Sequence, residues 1–63
     1  MKINREYLRA LVAGRFNARK KYVFSKDAIE KDYWHWKVQY YTHEIYRELQ
    51  KEGKSLRDLK DFT

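Results

Sequence analysis

Ser25-Lys26-Asp27-Ala28-Ile29-Glu30-Lys31-Asp32-Tyr33-Trp34-His35-Trp36-Lys37-Val38-Gln39-Tyr40-Tyr41-Thr42-His43-Glu44-Ile45-Tyr46-Arg47-Glu48-Leu49-Gln50-Lys51-Glu52-Gly53 contains no proline, and its one glycine stands at the end. Within it Trp34, Val38, Tyr41, Ile45 and Leu49 recur at a 4-3-4-4 spacing, within about 80° of arc on a helix. Ile29, Tyr33, Trp36 and Tyr40 form a second apolar stripe centred roughly 150° away. Between the two lies a charged seam of Glu30, Lys37, Glu44 and Glu48. The spacing predicts one long helix over 26–52, about 39 Å in length. Ser25 is its expected N-cap, Asp27 and Glu30 suit the positive end of its dipole, and Gly53 is its expected left-handed stop.

Upstream of this run, Asn4 can cap a first helix. Ile3 before it and Leu8 inside it have the spacing of a hydrophobic staple. Tyr7, Leu8, Leu11, Ala18 and Tyr22 share one face, and Arg5, Arg9, Arg19 and Lys20 line a neighbouring one. The pattern predicts a helix over 4–21, with Gly14 either accommodated inside it or breaking it in two. Downstream, Ser55 and Asp58 resemble a capping box and open a last helical segment over 55–62 that offers Leu56, Leu59 and Phe62 to the core. Strand signals are weak, since Tyr22-Val23-Phe24 is the only β-favouring run and no Asn-Gly or Asp-Gly turn occurs. The expected class is all-α, a single helical domain over 1–63.

At 63 residues the chain is short enough to be marginal alone. It has no cysteine, so neither a disulfide framework nor a thiolate metal site can compensate. Aliphatic side chains are scarce, and the aromatic content of 17% must carry the core. Two apolar stripes on one helix exceed what so short a chain can cover, so the Ile29, Tyr33, Trp36 and Tyr40 stripe is the expected contact with a second copy or another partner. No apolar run approaches the length of a membrane span, and Met1-Lys2-Ile3-Asn4-Arg5 leads into no signal-peptide core. A cytoplasmic protein without membrane contact is the expectation.

The charge is unevenly placed. Residues 1–24 hold Lys2, Arg5, Arg9, Arg15, Arg19, Lys20 and Lys21 against Glu6 alone, so the whole net charge of +6 sits there. Residues 25–63 are balanced. Arg15-Phe16-Asn17-Ala18-Arg19-Lys20-Lys21-Tyr22 interleaves cations with rings, a texture suited to holding phosphates and stacking on bases. A solvated face that only aids solubility is the plain alternative. Ala10-Leu11-Val12-Ala13-Gly14 has the Ala-xxx-Gly spacing of a helix-turn-helix, but Arg15 and Lys20 occupy positions that should be apolar there.

Catalytic chemistry has little to draw on. His35 and His43 lie about 12 Å apart along a helix and cannot chelate one ion within a chain. Ser25 and Ser55 read as caps, and no Gly-rich phosphate loop or HExxH occurs. No catalytic residue, metal or cofactor is expected. The sequence therefore points to a small non-enzymatic regulator that binds nucleic acid, DNA or RNA, through Lys2, Arg5, Arg9, Arg15, Phe16, Asn17, Arg19, Lys20 and Lys21, as a homodimer. The alternative is a protein-interaction module whose aromatic stripe anchors a partner and whose basic face docks on an acidic protein surface.

Overall fold

Asn4 opens the first helix as its sequence predicts, its side-chain oxygen accepting the Tyr7 backbone N–H at 3.0 Å. In the computed structural model, which describes residues 2–62, helix α1 runs Arg5–Phe24 and helix α2 runs Ala28–Gln50. A six-residue 3₁₀ segment, Leu56–Asp61, follows. The described residues contain no strand, so the fold is all-helical.

The boundaries differ from the sequence reading at the connection. Nothing in Tyr22-Val23-Phe24 breaks a helix, so α1 continues past residue 21 and Ser25 ends it. The Ser25 hydroxyl donates to the Lys21 carbonyl at 2.7 Å, and its N–H donates to the Tyr22 carbonyl at 3.3 Å. Asp27, not Ser25, caps α2, accepting the Ile29 N–H at 3.4 Å. α1 is unbroken at Gly14, so the helix-turn-helix spacing there marks no turn. Gly53 does stop α2: it has φ +66°, its N–H donates to the Gln50 carbonyl at 3.1 Å, and Lys54 N–H donates to the Leu49 carbonyl at 3.0 Å. This is a Schellman closure.

The helices pack antiparallel as an αα-hairpin, 41 × 17 × 16 Å overall. At the open end Asn4 meets Glu48, and toward the connection Lys21 meets Trp34. The core lies at the open end and consists of Ile3, Leu8, Leu11, Ile45, Leu49 and Phe62, with Val12, Tyr41 and Leu59 packed against it. Ile3 and Leu8, the expected staple pair, both belong to this buried cluster. Leu8, Ile45 and Leu49 are completely buried, each worth about 1.5–3 kcal/mol relative to exposure. The expected α2 stripe faces α1, yet only Ile45 and Leu49 are fully enclosed; Trp34, Val38 and Tyr41 are half-buried. Tyr7, Tyr22 and Leu56 lie outside the core and are exposed, Tyr22 near the connection beside His35 and Lys31.

Glu48 departs most from expectation. It is buried rather than part of a solvated seam, and its carboxylate accepts the Asn4 N–H at 2.8 Å while Lys51 pairs with it at 2.9 Å. Glu52 accepts the Ile3 N–H at 2.8 Å. Two carboxylates from α2 and its closing turn therefore satisfy N–H groups at the start of α1, where negative charge also suits the helix dipole. Burial pushes the Glu48 carboxyl up, but the Asn4 hydrogen bond and the Lys51 ammonium outweigh this and hold it below its usual 4.5. No described helix is long and apolar enough to cross a membrane.

Candidate functional site

Because α1 turns Leu8, Leu11 and Ala18 onto α2, its opposite side is left to solvent. At 100° per residue that side gathers Arg5, Arg9, Phe16, Arg19, Lys20 and Val23 into an arc of about 100°, with Val12 beside them half-buried against the core. From Arg5 to Lys20 the face is about 22 Å long at 1.5 Å per residue. Phe16 stands at its centre, 68% exposed. It lines two adjoining surface depressions, one with Arg9, Val12, Ala13 and Asn17, the other with Arg19, Lys20, Val23 and Phe24.

The structure thus brings together Arg9, Phe16, Asn17, Arg19 and Lys20 and divides the remaining candidates from them. Lys2 precedes the helix. Arg5 lies on the same arc, but its guanidinium sits 5.1 Å from the Phe62 ring centroid. Arg15 is half-buried on the flank toward α2. Lys21 points the other way, its ammonium 4.8 Å from the Trp34 ring centroid, a cation–π contact that joins the two helices. Helical spacing already sets Lys20 and Lys21 about 100° apart, and the structure adds that Lys21 turns onto Trp34.

Among the described residues, no carboxylate pairs with an α1 cation. The ion pairs among the described residues are Arg47–Glu44 at 3.6 Å and Lys51–Glu48 at 2.9 Å, both at the C-terminal end of α2. The outward face of α1 therefore keeps its positive charge uncompensated, mixed with exposed apolar surface. Val23 and Phe24, 68% and 72% exposed, extend that surface to the helix end. The sequence reading missed both, although Val12, Phe16 and Val23 follow a spacing of four and seven that a helix brings to one face.

On α2 the stripe of Ile29, Tyr33, Trp36 and Tyr40 is exposed. Trp36 and Tyr40 stack at 5.6 Å with an interplanar angle of 20°. By helical angle this stripe points away from α1, while the basic face points away from α2. The two surfaces look in opposing directions. His35 lies 5.9 Å from the Tyr22 ring, and its Nε2 is 3.0 Å from Gln39 Nε2. The described residues hold no group of three or more His, Cys, Asp or Glu side chains placed to bind a metal. No family model, curated protein or solved structure matches this chain.

Proposed function

We propose that this chain is a small non-enzymatic regulatory protein that binds nucleic acid through the outward face of α1 and acts as a dimer. The observation that carries the reading is the arc of Arg9, Arg19 and Lys20 around the exposed Phe16, with no carboxylate set against it. Guanidinium and ammonium groups in a row suit successive phosphates, and arginine adds bidentate geometry. An exposed ring between them can stack on an unpaired base. Arg5 extends the face, whereas Lys21 joins the helix pair through Trp34. The test is a salt titration of binding to labelled duplex and single-stranded probes, DNA and RNA. With about four phosphates neutralised, log K falls against log salt with a slope of roughly −4 on duplex DNA. Absence of binding at low salt rejects the reading.

A second reading is favoured by Val23 and Phe24, because phosphate contact has no use for two exposed apolar side chains beside the cations. In it the same face docks on an acidic protein surface that has an apolar centre, and the protein inhibits or redirects a larger complex. Tight capture of one acidic partner, insensitive to nuclease, together with weak binding to random nucleic acid, selects this reading over the first.

A further inference from the structure

Lys37 is half-buried, with its ammonium 5.8, 5.7, 6.0 and 5.9 Å from the ring centroids of Tyr33, Trp36, Tyr40 and Tyr41. Among the described residues no carboxylate pairs with it. Glu30 stands seven residues before it on the same side of the stripe, exposed and without an ion pair among the described residues. Two helical turns, about 10.5 Å, separate them, too far to pair within one chain. Between them lies the apolar stripe of Ile29, Tyr33, Trp36 and Tyr40, whose 4-3-4 spacing is that of a two-helix seam. Ile29 is 78% exposed and Trp36 58%.

We infer that this face is occupied by a second copy of the chain, with the two α2 helices antiparallel about a twofold axis between Tyr33 and Trp36. In that register Ile29 faces Tyr40 of the second copy and Tyr33 faces its Trp36, and symmetry repeats both pairs. The seam has four layers, each setting a ring against an aliphatic side chain or a second ring. Flanking positions of antiparallel helices meet their own kind, so Glu30 of each copy comes beside Lys37 of the other, twice. The unpaired carboxylate and the ring-enclosed ammonium thereby complete one another.

The parallel arrangement fits less well. It sets every seam residue against its own copy, so Arg47 meets Arg47 at the continuation of the stripe, while Glu30 finds no cation. Like charges at a packed seam are repulsive. Antiparallel packing confines the seam to its apolar layers. The area is sufficient: half-exposed rings offer on the order of 100 Å² each. With flanking residues the face approaches the roughly 800 Å² per partner of a standard interface. Of the cations behind the net charge of +6 on each chain, Arg9, Arg19 and Lys20 lie on the outward face of α1, away from the contact.

The inference rests on the dimer in the reading above and not on nucleic acid, so it is tested in nucleic-acid-free buffer. Sedimentation equilibrium of the full chain at about 100 µM shows a dimer. Glu30→Lys and Lys37→Glu each weaken it at least about five-fold, and the double reversal restores it to within about two-fold, the signature of a direct pair. Far-UV circular dichroism reports that each variant stays helical. A spin label on a cysteine replacing the exposed Gln50 gives an interprotomer distance of about 45 Å, set by the rise of 1.5 Å per residue on either side of the axis. A monomer, a distance near 15 Å, or a Glu30→Lys variant that dimerises normally overturns the inference.

Discussion

The phenol of Tyr41 lies directly across the backbone of Gly14, so close that a Cβ on Gly14 would fall 2.7 Å from its Cε1 and Cζ atoms. A glycine inside a helix costs about 1 kcal/mol relative to alanine. The hairpin accepts that cost for the approach of the ring, which is half-buried and meets Tyr40 edge-on at 5.6 Å.

Gly14→Ala therefore pits helix propensity against the displaced ring. Overpacking of this kind costs typically 1–3 kcal/mol, so a net loss of about 1 kcal/mol is expected. In a Tyr41→Ala background the same change becomes stabilising, because only the propensity gain remains. Urea denaturation of the four proteins measures the coupling; additive effects of the two substitutions are the outcome that rejects the close contact as its cause.

Acid should loosen the open end of the hairpin through Glu48. Its folded-state pKa lies below the usual 4.5, so as the pH falls the unfolded chain takes up the proton first. The stabilisation is fully present above the unfolded value and is lost as the pH drops through the folded one. Glu48→Gln keeps an acceptor for the Asn4 N–H but removes the charge, and it should flatten the decline in stability between about pH 5 and about pH 3. Glu48→Ala leaves that N–H without its acceptor and should cost about 1–3 kcal/mol at neutral pH. Denaturation midpoints across this range, compared among the three proteins, decide it.

Lys20 and Lys21 are neighbours with opposite assignments. Replacing Arg9, Arg19 and Lys20 together with glutamine should flatten the salt dependence of duplex binding by up to about three units and leave thermal stability nearly unchanged. Lys21→Gln should do the reverse, preserving the slope but lowering stability by about 0.5–1 kcal/mol through loss of the Trp34 contact. Equal effects of Lys20→Gln and Lys21→Gln on the slope would argue against a single outward face.

Phe16 gives a separate readout. If its ring stacks on an unpaired base, Phe16→Ala should cost about 1–3 kcal/mol on a single-stranded probe and little on duplex. Fluorescence titration at fixed salt distinguishes these, and an equal loss on both probes removes stacking as the role of the ring.

The sequence was most readable where one residue type has one local task. Asn4 and Gly53 mark their helix ends because an Asx side chain and a left-handed glycine satisfy backbone groups within a turn. Ile45 and Leu49 fall on the face that periodicity assigns them. Ser25 was misread because Ser25 and Asp27 are both competent caps, and the choice depended on how far α1 extends. Glu48 could not be found from α2 alone, since its partner lies 44 residues away. The basic face of Arg5, Arg9, Arg19 and Lys20 was legible from helical spacing, but the helix-joining role of Lys21 required knowledge of where α2 lies. Trp34 was expected in the core and instead lies half-exposed beneath the Lys21 ammonium.

The lopsided core has a mechanical consequence. Its large enclosed side chains join Ile3 and Leu8 to Ile45, Leu49 and Phe62, at the end of the hairpin away from the covalent connection. Near the connection the helices are held by Ala18, a few rings and two lysines, Lys21 over Trp34 and Lys31 over Tyr22. The molecule resembles tweezers clamped at the tips and slack at the hinge. Amide protection should be greatest around Leu8 and Ile45 and fall toward Phe24 and Ile29, inverting the usual fraying of a hairpin from its free ends. A bound partner would then have its largest effect on the amides of the slack end, where Phe24 and Ile29 have the most order to gain.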